Sequence, residues 1–384
     1  NIKISYKWDD MNYLSSSLFY TLSEKNGYGD NTTYFNASGN IVGNSYQDFS
    51  GDLAIVEYEI DQFNNLTKKS EPHYTTTPVE SIQWTNYEYD ENNRLSQITS
   101  PITDISYMYE DLDIHITNNL TQRNDVLSYS ASGRLLHKQE PLNNIDYKYD
   151  SEGKPTKIIV NDLEYLISYD SYGYQSSYTD SDIGSMTYIN NSLGQVIQKT
   201  DPELNIFDYS YDKIGRIVSE NIQNGRGVTF DYDLTENSIG KLNKITTTEG
   251  NGSVYSYLYD ELGRPIEEKM NFESKDYIFN YNYNTHGQID QITYPGEINR
   301  LTINHEYNDN GFLERIVRNS DNSVLFVNEE QDIYGRSIKY NFGNNVFTQN
   351  TFDPINHKLA NIHAESITTG IDLFDYSYVT SPLT

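Results

Sequence analysis

The chain has 384 residues, 27 Lys and Arg against 56 Asp and Glu, a formal net charge of −29 and no cysteine. That balance disfavours nucleic acid, whose binding depends on basic side chains neutralising phosphates, and it disfavours anionic membrane surfaces; the missing cysteines exclude disulfides and thiolate metal sites. A high charge with few aliphatic residues can signal disorder, but 36 tyrosines and 14 phenylalanines carry large apolar areas whose burial favours folding.

In chain order, the first 80 residues hold turn signals at Asn12, Gly39 and Asn64, widely spaced. From there a motif recurs. Its copies are Tyr87-Glu88-Tyr89-Asp90, followed by Asn93; Tyr147-Lys148-Tyr149-Asp150, followed by Gly153; Tyr209-Ser210-Tyr211-Asp212, followed by Gly215-Arg216; Tyr257-Leu258-Tyr259-Asp260, followed by Gly263-Arg264; and Tyr281-Asn282-Tyr283-Asn284, followed by Gly287. Worn copies put turn signals at Asp113, Gly133, Gly173, Gly194, Gly240, Gly311, Gly335 and His357. The intervals are 20 residues from Asn93 through Gly173 and 21 on to Gly215. About 16 copies make the chain a repeat array, which grows without dividing into globular units. We therefore expect a single array over 1–384, with divergent longer repeats in 1–80, tight repeats of about 20 residues in 81–225 and longer repeats in 226–384. It begins inside a repeat and reads as a piece of a larger protein.

Tyr-x-Tyr places two rings on one face of a strand. The following Asp accepts hydrogen bonds from amides ahead of it, and Gly three residues later suits the left-handed position that closes a short hairpin loop. Gly215 and Gly263 are expected at positive φ. Pro101, Pro141, Pro202 and Pro295 lie eight residues after a turn signal and mark the connection to the next repeat, since proline has no amide for a central strand. Each repeat is thus one hairpin of strands about 7 residues long, and a lone hairpin is marginal in water, so neighbours must pair edge to edge. The expected fold is all-β: a continuous curled antiparallel sheet of about 32 strands, which at ~4.8 Å per strand extends about 150 Å and, rolled once, makes a ring about 50 Å across. Tyr209 and Tyr211 are expected near Tyr257 and Tyr259 in aromatic rows, with the motif rings mostly buried.

This pattern resembles the YD repeats of the RHS family, which includes bacterial polymorphic toxins, the cocoon-forming component of insecticidal toxin complexes, and the animal teneurins. The copies ending at Arg216 and Arg264 match the family motif throughout, and Asp201-Pro202-Glu203-Leu204-Asn205 resembles the family's usual inter-repeat connection. The resemblance implies a spiral β-shell that encloses a toxin domain or presents binding domains. Asp353-Pro354-Ile355-Asn356 lacks the glycine of the family's processing motif and reads as a repeat turn.

Candidate chemistry is thin. The seven histidines, His73, His115, His137, His286, His305, His357 and His363, include no H-x-x-x-H pair. Asn308 to Gly311 and Asp180 to Asp182 have a faint calcium look without EF-hand spacing, and no G-x-S-x-G elbow is present. The recurrent aspartates are turn residues before they are catalytic carboxylates, and the tyrosines pack sheets before they stack sugars. No catalytic, cofactor or metal residue is assigned. The expected role is a non-enzymatic wall of a secreted or cell-surface bacterial protein, whose partners are the remaining domains of the same polypeptide, with secretion machinery and surface glycans as further candidates. The alternative is the stalk of a secreted adhesin that binds carbohydrate or protein through its loops.

Overall fold

A computed structural model of the protein describes residues 2–379 apart from 9–13, 15–16, 26–27, 224 and 249–251; the turn signal at Asn12 lies outside the described residues. Among them there are 34 strands, no α-helix and a single 3-10 turn, Val79–Ser81. Each strand pairs antiparallel with the next along the chain, from Ile2–Trp8 to Asp372–Ser377. The exception is the two-residue strand His73–Tyr74, which pairs back onto Leu53–Ile60 while Leu66–Ser70 pairs onward with Trp84–Tyr89. The all-β hairpin ribbon expected from the repeats is the observed fold.

The register explains the motif's length. In repeat after repeat the ladder slips by one residue just before the second ring position, as between Glu88 and Tyr89, Ser210 and Tyr211, and Leu258 and Tyr259. The extra residue there makes a bulge, which sharpens the local twist. The loop closes with Gly215 at φ 90° and Gly263 at φ 73°, and with Asn64, Asn93 and His357 at φ 67°, 63° and 57° where glycine is absent. Asp113 departs from the expectation. It opens strand Asp113–Asn118 and pairs with Glu110, while Asp111 takes the left-handed conformation at φ 49°. This copy closes with a two-residue loop, so its turn falls earlier than the regular spacing implies.

The YD turns line one edge of the ribbon and the inter-repeat connections line the other. Strand twist accumulates, and the ribbon coils until these two edges meet. The Asn310 carbonyl accepts the Gly29 amide at 2.9 Å, Asn308 donates to the Phe49 carbonyl at 2.8 Å, Tyr46 donates to the Ile333 carbonyl at 3.0 Å, and Gln83 donates to the Pro354 carbonyl at 2.8 Å. The Phe49 and Phe312 rings meet edge to face at 6.1 Å. Connections at 28–83 thus seat on YD turns at 308–357 in matching order, the signature of a spiral. One coil takes about 26 strands, a circumference of about 125 Å and a diameter of about 40 Å at ~4.8 Å per strand, somewhat tighter than a single ring of the whole array.

Only eight apolar residues among those described are fully buried, and Leu14, Tyr34, Val42 and Ile55 form the one compact cluster. There Leu14 packs on the sheet against Gly43. Elsewhere the wall is one layer thick, so its motif rings are half-buried and not sequestered as expected. A valine at Gly215 must adopt the left-handed backbone, so Gly215→Val should lower stability by about 1–2 kcal/mol. Gly296→Val, in a loop where no positive φ is required, should cost less. Thermal melts of the two variants followed by circular dichroism check the order; an unchanged melting temperature for Gly215→Val would contradict the turn assignment.

Candidate functional site

The repeat motif is the molecule's dominant constellation, and its parts have separate tasks. The aspartate side chain builds the turn. Asp212 accepts from the Ile214 amide at 3.0 Å and the Arg216 amide at 2.9 Å, and the same pair recurs at Asp90, Asp150 and Asp260. Asn284 does the same for His286 and Gln288. The second carboxylate oxygen holds the arginine: Asp212 to Arg216 at 2.7 Å and Asp260 to Arg264 at 2.7 Å.

The second tyrosine joins one repeat to the one before. Its hydroxyl donates to the carbonyl of the first strand residue after the preceding turn: Tyr89 to Leu66, Tyr149 to Leu135, Tyr211 to Val196, Tyr259 to Leu242 and Tyr283 to Pro265, between 2.6 and 2.9 Å. The basic residue of the preceding turn lies on the same ring, with Arg94 4.1 Å from the centre of Tyr109, Arg216 4.3 Å from Tyr232 and Arg264 4.2 Å from Tyr283. Arg216 and Arg264 each bury an Nη1 without a hydrogen-bond acceptor, because that edge of the guanidinium faces a ring whose π-cloud is the partner. Where the second tyrosine is lost an amide takes over: Asn190, in its place, donates to the Gln175 carbonyl at 2.8 Å, and in the copy with Phe352 there, Asn350 at the first-ring position donates to the Ser337 carbonyl at 3.0 Å.

The first tyrosines, Tyr87, Tyr147, Tyr209, Tyr257 and Tyr281, point to the same face as the second ones but face a neighbouring strand's side chain: Ile98, Ile158, Glu220, Glu268 and Ile292 in turn. Tyr209 and Tyr211 do not adjoin Tyr257 and Tyr259, since the copy carrying Phe230 and Tyr232 lies between them. Among the described residues the second tyrosines are not stacked on one another; a basic side chain stands over several of them, as at Tyr109, Tyr149, Tyr169, Tyr232, Tyr259 and Tyr283.

The turn carboxylates are held below their ordinary range. For Asp90 the Arg94 amide and guanidinium dominate; at Asp212 and Asp260 burial pushes upward and the amide and guanidinium bonds of Arg216 and Arg264 outweigh it. Tyr281 is pushed up to about 12 by burial and by the Glu268 carboxylate, to which its hydroxyl donates a hydrogen bond.

The calcium-like segments are turns: Asp180 accepts from the amides of Asp182 and Ile183, and Asn308 from those of Asn310 and Phe312. His305 is half-buried at a first-ring position, and burial lowers its pKa. His357 closes a turn and stacks on Tyr334 with centres 4.7 Å apart. His363, Glu365 and Asp372 bring ligand atoms within 4.8 Å of one another across the last hairpin. The sequence spacing concealed that group because Glu365 and Asp372 pair across strands; both carboxylates are exposed.

No family model matches the sequence, and no curated protein matches it. The fold, by contrast, matches solved structures. Residues spanning 95% of the chain superpose on 22% of a TcdB2-TccC3-TEV chain with a TM-score of 0.77 at 13% identity. The TcdB2-TccC3 structure matches with a TM-score of 0.64 at 11% identity over 95% of this chain and 23% of that one. A Photorhabdus luminescens Tc holotoxin pore structure gives 0.65 at 11% identity over 96% and 22%. The chain is therefore a β-shell of the kind seen in those toxin complexes, and it spans under a quarter of their length.

Removing the clasp hydroxyl in Tyr211→Phe should cost about 1 kcal/mol, the usual net worth of a hydrogen bond, with the strand spectrum unchanged; denaturant titration measures it. A carboxylate held low binds fewer protons when folded, so its contribution is complete above about pH 4 and fades as pH falls through the depressed folded value. Asp212→Asn should therefore melt below the parent at pH 7, and the gap should close toward pH 3. A gap independent of pH would show that the carboxylate's charge does not matter to the turn.

Proposed function

We propose that the chain is a non-catalytic wall segment of a secreted bacterial RHS-type shell, one that encloses or presents a functional domain of the same polypeptide. The observation that carries this reading is the edge-to-edge seam between residues 28–83 and 308–357. A stalk or flat platform has no need of one, whereas a wall must close rim to rim to exclude solvent and proteases from what lies inside. The motif residues Tyr87 and Tyr89 through Tyr281 and Tyr283, the aspartates Asp90, Asp150, Asp212 and Asp260, and the turn residues Gly153, Gly215, Gly263 and Gly287 with Arg216 and Arg264 are its structural machinery. The chain functions as one array over 1–384, with the longer repeats of 1–80 and 226–384 supplying both sides of the seam. The likeness to toxin-complex shells supports an extracellular setting and association with other toxin domains.

Opening the seam tests the reading. Phe49→Glu together with Phe312→Glu places two like charges where the rings now meet. The double variant should retain its strand spectrum, show a larger radius of gyration by small-angle X-ray scattering, and be cut faster by protease than the parent. An unchanged radius and digestion rate would remove the seam, and with it the argument for a closed wall.

A further inference from the structure

On the tyrosine face, the position opposite the first ring is commonly isoleucine: Ile98, Ile158, Ile245, Ile292 and Ile316. Glu268 breaks the row. It stands on strand Pro265–Phe272, between Val254–Tyr259 and Lys275–Tyr283, which extend the aromatic motif backwards by Tyr255 and by Tyr277 and Phe279 respectively. Tyr257 and Phe279 lie directly opposite Glu268 on either side, and Tyr255 and Tyr277 flank Met270 in the same way. Together they enclose a cavity of about 190 Å³.

Its chemistry is specific. The walls are four aromatic rings and a thioether, with Lys269 also in the lining, and a carboxylate stands between them. Glu268 accepts one hydrogen bond, from the Tyr281 hydroxyl at 3.2 Å. The adjacent Lys269 sends its ammonium to the opposite face, where it pairs with Asp276 at 2.7 Å, so the nearest cation in sequence leaves Glu268 unneutralised. Rings around a carboxylate favour a cation through their quadrupoles and its charge at once, the arrangement that recognises quaternary ammonium groups. The volume falls below the ~300–1,000 Å³ of sites that engulf a whole ligand, so the pocket accommodates a head group. Glu220 is a built-in contrast. It also faces a first tyrosine, Tyr209, but Val228 stands on its other side, and no second aromatic wall forms.

We propose that Tyr255, Tyr257, Glu268, Met270, Tyr277 and Phe279 form a binding site for a trimethylammonium-type cation. The site does not depend on what the shell encloses. Choline chloride titrated into the protein, followed by tyrosine fluorescence and saturation-transfer NMR, should give saturable binding. The neutral isostere 3,3-dimethylbutan-1-ol should bind roughly fivefold to thirtyfold more weakly, as the loss of a partly desolvated cation–π and charge contact implies. Glu268→Gln should weaken choline by a similar factor, and Glu220→Gln should leave it unchanged. Absence of saturable choline binding, equal binding of the isostere, or full retention of affinity in a folded Glu268→Gln protein would each overturn the assignment. The isostere comparison uses the unaltered chain and so stands even if the variant folds poorly.

Discussion

The hydrogen bond from the second tyrosine to the carbonyl of the preceding repeat is the contact on which the rest of the wall depends. Hairpins of five- to nine-residue strands do not stand alone, and backbone pairing between repeats fixes only their spacing. The tyrosine hydroxyl fixes the lateral register as well, because it reaches one carbonyl just past the previous bulge. The arginine of that previous turn then covers the ring, and the aspartate that shaped the turn holds the arginine. Where the turn carries a basic residue, turn, cation, ring and carbonyl therefore form a chain of contacts that locks a repeat to the one before; at Tyr89, Tyr211 and Tyr307 the hydroxyl does so without the cation. A one-residue slip would send every ring to the wrong face, and this chain of contacts is what opposes it.

A single-layer sheet cannot rely on a sequestered core. With few fully buried side chains, stabilisation must be spread along the ribbon in contacts that tolerate water at one side. Tyrosine suits this role because its ring packs while its hydroxyl remains hydrogen-bonded. The substitution at Asn190 shows what is essential at the clasp: a donor that reaches the carbonyl, more than the ring that carries it. Phe352 shows the converse, for Arg336 lies 3.8 Å from its ring centre although no hydroxyl is there. The two halves of the clasp can thus be separated.

Much of this was legible in the residues. Period-two aromatics, Asp before Gly and fixed spacing determine strand, face and turn locally, and each is a short-range effect of backbone geometry. What the motif conceals is long-range. Asn308 and Phe49 gave no hint of each other, since their encounter depends on twist summed over about 26 strands. Asp113 misled because spacing alone cannot tell a five-residue loop from a two-residue one; the left-handed Asp111 shifts the turn without disturbing the period. The aromatic rows were expected to skip from Tyr209 to Tyr257 because the intervening copy carries Phe230 in place of a first tyrosine. Arginine between rings was also missed, although Gly-Arg followed by a later Tyr-x-Tyr was present in the motif itself. That signal becomes readable only once hairpin n is known to lie beside hairpin n + 1.

The division of labour between the two rings has a consequence for how such a wall acquires function. The second ring is constrained from both sides, by a carbonyl and by a cation, and its replacement loosens the array. The first ring meets side chains of the neighbouring strands, Ile292 and Glu268 in the case of Tyr281, and those side chains are free to change without touching the ladder. Isoleucine there gives plain packing, while a charged residue turns the same geometry into a recognition surface, as Glu268 does between two aromatic strands. Variation at this position therefore alters chemistry on one face while the architecture persists. A wall built from such repeats can carry specificity on the tyrosine face without a separate binding domain, because the second rings hold the repeats together while Tyr257 and the aromatic residues that precede the motif, Tyr255, Tyr277 and Phe279, are available to a ligand.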